Sequence, residues 1–178
     1  MAVLKKLLKL VGVLVVLLVV VGLFLPSSSH VERSINIDAS AEKVFSYLND
    51  FKQFNRWSPW YGIDPNTQYT HSGPESGKGS KMSWVSDHRE VGSGSQEIIA
   101  SEPNSRVQTA LDFGPQGNAE AEFRIKESAG QSEVTWSFST DFGYNLMGRY
   151  MGVLAMEKWV GGMYEKGLSQ LKILAESE

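Results

Sequence analysis

The chain has 178 residues, 42% of them hydrophobic, a formal net charge of −3 and no cysteine. The absence of cysteine excludes disulfides, thiol nucleophiles and Cys-based metal sites. Acidic charge without a Lys/Arg-rich patch after residue 30 excludes nucleic acid as a partner, because neutralising phosphates needs a basic face.

Residues 1–29 are expected to form a transmembrane anchor and a Ser-rich spacer. Lys5, Lys6 and Lys9 precede an uncharged Leu/Val/Gly run from Leu10 to Leu25. Sixteen helical residues span about 24 Å, short of a hydrocarbon core of about 30 Å. Leu7 and Leu8, with Lys9 snorkelling to the headgroups, close most of that gap. Pro26 and Ser27–Ser29 then stop the helix. A cleaved signal peptide competes, but its apolar core is shorter, about 7–15 residues, and Phe24-Leu25-Pro26-Ser27-Ser28 is a poor cleavage site. The basic flank orients the N-terminus to the cytoplasm and residues 30–178 outside, in the periplasm or beyond the cell. Without the three lysines that exported part carries a charge near −6.

The exported part is large enough for one domain. Residues 30–37 alternate as a strand. Ser40 caps a short helix from Ala41 to about Asn49, and a second turn covers Phe51 to Arg56 until Pro59 forbids its continuation. Six strands follow, near 67–71, 81–86, 91–101, 106–113, 119–126 and 133–140. In the last three, Val107, Leu111 and Phe113, then Ala119, Ala121, Phe123 and Ile125, then Val134, Trp136 and Phe138 share one face. Polar residues alternate with them, as in an antiparallel sheet covered on one side.

Residues 145 to about 175 are helical in composition, with Asn145 as N-cap. Between Phe142 and Tyr164 only Arg149, Glu157 and Lys158 are charged, so the helix is expected to be surrounded by the sheet. Gly148 and Gly152 suggest close approach, and Gly161-Gly162 a kink near 161. The architecture is α+β: a helix-grip fold with a curved antiparallel sheet of about seven strands around a long C-terminal helix. Two short helices separate strands 1 and 2, and a transmembrane helix precedes the whole.

The segments Ile35–Phe45 (INIDASAEKVF) and Phe54–Trp60 (FNRWSPW), with this element order, resemble the START-like (SRPBCC) superfamily. That superfamily includes polyketide cyclase/dehydrase-like proteins, the birch-pollen-allergen fold and lipid-transfer START domains. The resemblance covers about residues 30–175 and specifies fold better than function. It implies a hydrophobic or amphipathic, lipid-like ligand in a cavity between sheet and C-terminal helix. The cavity-lining candidates are Trp57, Trp60, Trp84, Leu111, Phe123, Trp136, Phe138, Met147, Met151, Leu154 and Glu157. Each aromatic has a plain alternative as core packing, and the methionines as helix packing.

Glu157 could anchor a ligand or pair with a neighbour such as Arg149. An enzyme of cyclase or hydrolase type, using Glu157 or a histidine, is an alternative, as is an interaction module without a dedicated ligand. His30, His71 and His88 show no metal-ligand spacing and no triad. Asp87-His88 reads as a solvated hairpin tip. No catalytic residue, metal or cofactor is indicated, and the oligomeric state is open.

Overall fold

The computed structural model describes residues 2–177. Helix α1 (Ala2–Phe24) is followed by strand β1 (Ser28–Ile37) and short helices α2 (Ala41–Leu48) and α3 (Phe51–Phe54). Strands β2 (Gln68–Ser72), β3 (Lys81–Val85), β4 (Gly94–Glu102), β5 (Arg106–Asp112), β6 (Asn118–Ser128) and β7 (Gln131–Asp141) come next. The last segment is α4 (Leu146–Met151), a π-turn over Gly152–Met156, and α5 (Glu157–Ser177). The seven strands form one antiparallel sheet in the order β1-β7-β6-β5-β4-β3-β2. The fold is α+β and helix-grip-like, as the element order predicts.

Local chemistry explains the boundaries. The Ser40 side chain accepts from the Lys43 backbone N–H at 3.3 Å, and Asp50 from that of Lys52 at 2.7 Å, so each short helix has its N-cap. A register shift between Ile98 and Ala100 places a bulge in β4, where a sheet bends.

The core lies on one face. Val31, Ile37, Ile98, Val107, Phe123, Val134 and Trp136 face α2, α3 and α5, which brings Val160, Tyr164, Leu168 and Leu171. Trp136 is its hub: Tyr164 stacks on it at 3.7 Å and Phe123 at 4.8 Å, while Trp57, Trp60 and Phe54 meet it edge-on at 5.5–6.1 Å. The Trp57 indole donates to the Tyr47 carbonyl at 3.2 Å.

Four expectations are corrected. First, there is little spacer: Ser28 and Ser29 are already strand, opposite Asp141 and Thr140, and the Phe142 N–H donates to the Ser27 carbonyl at 2.7 Å. Serine is compatible with an edge strand as well as a loop, and here the ladder decides. Second, α5 packs along β1 and β7 without being enclosed, and α4 with the π-turn stays largely exposed.

Third, the helical irregularity is the π-turn at 152–156, and the helix runs regularly through 161. Gly161 instead makes room for the Arg33 guanidinium, which any β-carbon there would strike. Gly148 and Gly152 similarly make room for the Phe142 ring, 2.7 and 2.6 Å from where their β-carbons would stand. Fourth, Glu157 does not pair with Arg149. It accepts from Arg33 Nη2 at 2.8 Å, beside Glu165 on Arg33 Nε at 2.6 Å.

Arg149 is 8% exposed and serves the backbone instead. Its Nε and Nη2 donate to the Gly143 carbonyl at 2.8 and 2.6 Å, and Nη1 to the carbonyls of Leu23 and Leu25 at 2.9 and 3.1 Å. It therefore caps the end of α1, where orphan carbonyls gather and a cation is favoured. Tyr150 Oη donates to the Leu18 carbonyl at 2.7 Å.

At the other end of α5, Glu176 accepts from the Asp38 backbone N–H and from Lys172, both at 2.7 Å. These bonds, the backbone one first, hold its carboxyl below the ordinary range. A depressed carboxyl contributes stability above its unfolded pKa of about 4.3 and loses it as pH falls through the lower folded value. Hydrogen exchange at the Asp38 amide is therefore expected to accelerate selectively below about pH 4, and Glu176→Gln to weaken that acid dependence.

Candidate functional site

Two open concavities lie on polar surface away from the core. The larger, about 800 Å³, is lined by His30, Ser139, Glu120, Ala110, Glu97 and Lys81 among others. The strand register places those six in one row across the sheet. They alternate with buried Val31, Phe138, Ala121, Thr109 and Ile98, so this groove is on the solvent face. The smaller, about 370 Å³, lies at the β2–β3 edge around Asp64, Ser86 and His88. There Asp64 accepts from Ser86 Oγ and the Asn66 N–H, which lower its pKa, and His88 sits in a loop.

The apolar opportunity is on the core-facing side of the sheet, where α5 does not reach. Trp84 on β3 stands opposite Tyr69 on β2, and Tyr61 tilts against Tyr69 at 5.4 Å. Phe113, just past β5, meets Trp84 edge-on at 6.1 Å. Gly94 lies opposite Trp84 on β4, and a β-carbon there would sit 2.7 Å from the indole, so the glycine lets the ring lie across the strand. The indole N–H donates to the Val91 carbonyl at 3.3 Å, fixing its orientation. Leu111 faces the same side, between Gln96 and Ala119 in register. Trp60 continues the rim toward Trp136 and Tyr164, at 6.0 and 6.3 Å.

Trp60, Tyr69, Trp84, Leu111 and Phe113 are all half-buried, and Tyr61 is exposed. Aromatic walls with few polar points are what apolar ligands use. The deep end of this strip is closed by Tyr164, whose phenol burial pushes far above its ordinary pKa and keeps neutral. The Trp136 Nε1–H there is buried without a partner.

The eleven expected lining residues thus separate into three groups. Trp60, Trp84 and Leu111 lie on the half-open strip. Trp57, Phe123, Trp136 and Phe138 are in the packed core, at most 9% exposed. Met147, Met151 and Leu154 are exposed on the helix, and the Glu157 side chain is 64% exposed on Arg33. The three apolar ones point away from any space between sheet and helix, because the sheet supports the long helix only from about Met156 onward, and Glu157 is held by Arg33 at the edge of β1. Tyr61, Tyr69 and Phe113 join the strip unexpectedly. Phe113 alternates with Leu111 and was visible as such; the two tyrosines carry no periodic signal of their own. Among the described residues no cluster of His, Asp and Glu is placed to hold a metal ion.

A family model described as polyketide cyclase / dehydrase and lipid transport matches residues 28–176. Among solved structures, protein CV1439 from Chromobacterium violaceum superposes with a TM-score of 0.54 at 14% identity, over 86% of this chain and 100% of that one. The Aha1 dimer from Colwellia psychrerythraea gives 0.57 at 17% identity, over 83% and 96%. Ara h 8.0201 gives 0.55 at 10% identity, over 85% and 99%. At such identities the likeness concerns the fold alone. No curated protein sequence matches.

Proposed function

Because the chain belongs to the polyketide cyclase / dehydrase and lipid transport family, we propose that it binds a hydrophobic or amphipathic, lipid-like molecule on the uncovered strip of its sheet. The observation that carries this reading is the row of large apolar side chains, Trp60, Tyr69, Trp84, Leu111 and Phe113, left half-open on the core-facing side. Burying such surface against an apolar ligand returns roughly 25 cal/mol per Å² before the costs of association.

The domain works as a membrane-tethered receptor. Val3–Phe24 is long and apolar enough to cross a bilayer, and its lysines favour a cytoplasmic N-terminus with residues 28–177 outside. Retention of the helix is supported by the bonds from Arg149 and Tyr150 to Leu18, Leu23 and Leu25, which a processed chain would lose. The enzymatic alternative built on Glu157 is less well supported, since that carboxylate is exposed and taken up by Arg33 rather than directed into the apolar strip.

Displacement of a fluorescent fatty acid from the detergent-solubilised full chain tests the binding. Leu111→Arg is expected to weaken it about tenfold, a loss of about 1.4 kcal/mol, with the circular dichroism unchanged. Equal affinity in both proteins would remove the strip from the account.

A further inference from the structure

Among the described residues outside α1, nine large hydrophobic side chains are exposed, and six of them fall between residues 144 and 159: Tyr144, Met147, Met151, Val153, Leu154 and Trp159. They are 50–90% exposed, at the levels shown by the side chains of α1 itself. Such concentration on a water-soluble surface marks a contact with something apolar.

The neighbouring contacts say what. The first turns of this helix lie beside the last two turns of α1. Leu146 and Tyr150 pack over Gly22, Tyr150 bonds to Leu18, and Arg149 bonds to Leu23 and Leu25. If α1 crosses a bilayer, α4 starts at the depth where α1 leaves it. Between Phe142 and Met156 the only charge is Arg149, and its guanidinium is spent on backbone carbonyls, which is how a cation is tolerated at the membrane boundary. Glu157 and Lys158 then mark the return of charge beside Trp159, while Tyr144 lies at the other end. Trp and Tyr are the residues enriched at headgroup level.

The π-turn serves this surface. At about 100° per residue, Trp159 would stand about 120° round the helix from Met147. One π-turn takes up an extra residue and brings it within about 20°. Met147, Met151 and Trp159 then share one stripe, flanked by Leu154.

We propose that the segment from Tyr144 to Trp159 docks on the lipid bilayer as a second, interfacial contact beside α1, fixing how the domain stands on the membrane. The proposal rests on the reading of α1 as a membrane span, and the test separates the two. Because the chain has no cysteine, single cysteines carrying a nitroxide label are unambiguous. Labels are placed at Val15 in α1, at Met151 and Leu154 on the patch, and at exposed Val85 on β3 as a water reference. The full chain is reconstituted into phosphatidylcholine vesicles, and collision with oxygen and with a water-soluble nickel chelate is measured.

Expected is a several-fold lower nickel collision rate and a higher oxygen rate at Met151 and Leu154 than at Val85, approaching Val15. The charged variant Met147→Asp/Met151→Asp, which alters only exposed side chains, is expected to return the Leu154 label to water while α1 stays inserted. A lipid-like Val15 with a water-like Met151 and Leu154 overturns the docking and leaves the span intact. A water-like Val15 overturns the span itself. Shielding of Met151 from both probes assigns the patch to a second copy or another protein and also overturns the proposal.

Discussion

Trp136→Ala is expected to cost about 4 kcal/mol, within the range of about 3–5 kcal/mol for truncating a buried Trp. The indole is 2% exposed and touches five other rings, two of them stacked, so no neighbour is free to collapse into the space it leaves. Against a total stability of about 5–15 kcal/mol, such a loss leaves a domain that unfolds about 8–16 °C earlier or fails to fold. Trp136→Phe is the informative partner. It keeps most of the packing and deletes an indole N–H that has no acceptor, so it is expected to cost well under half as much. Thermal unfolding followed by near-UV circular dichroism checks both. Equal losses for Phe and Ala would mean that the N–H is satisfied by a water or ligand.

Arg149→Met is expected to destabilise the chain by about 3 kcal/mol and to loosen α1 from the domain. The change keeps the aliphatic stem and removes four donated bonds to the carbonyls of Gly143, Leu23 and Leu25. Each buried carbonyl left without a partner costs about 1–3 kcal/mol, and those nearest water cost least. Lysine should rescue poorly, since a single ammonium cannot reach three carbonyls held in a guanidinium's fork. Hydrogen exchange across Ser27–Val31 and residues 142–150 reads the effect: both segments should exchange faster in Arg149→Met. An unchanged pattern would show that strand pairing alone holds the junction.

Much of the fold was legible because it rests on period-two patterning. The runs from Val107 to Phe113, from Ala119 to Ile125 and from Val134 to Phe138 alternate cleanly, and all three are strands in register. Ser40 and Pro59 marked helix limits through local chemistry that needs no tertiary context. The long C-terminal helix was legible as a helix and misleading as to its surroundings. An apolar circumference is compatible with burial in protein or with contact to a membrane, and composition cannot separate them. The neighbours of Gly22 and the carbonyls beside Arg149 show that the helix's first turns pack on α1 instead of under the sheet. For the same reason Met147, Met151 and Leu154 read as cavity lining.

Arg149 was unreadable for a different cause. Its partners are all backbone carbonyls, two of them more than 120 residues away, and backbone leaves no side-chain signature. Trp57 and Trp60, three residues apart, illustrate the limit for the site. One is 1% exposed in the core and the other half-open on the rim, a distinction made by the turn around Pro59. The tyrosines at 61 and 69 belong to a loop and an edge strand, where pattern carries least information.

Taken together, a half-open aromatic strip, a helix long and apolar enough to cross a membrane and membership of a polyketide cyclase / dehydrase and lipid transport family support the proposed capture of an apolar molecule at the bilayer surface. Native mass spectrometry of the full chain, extracted from membranes in a mild detergent, tests this most directly. The account predicts a species heavier than the protein by one lipid-sized molecule, and its disappearance in Leu111→Arg. Bare protein in both samples, at detergent levels that leave lipids bound to other membrane proteins, would contradict it.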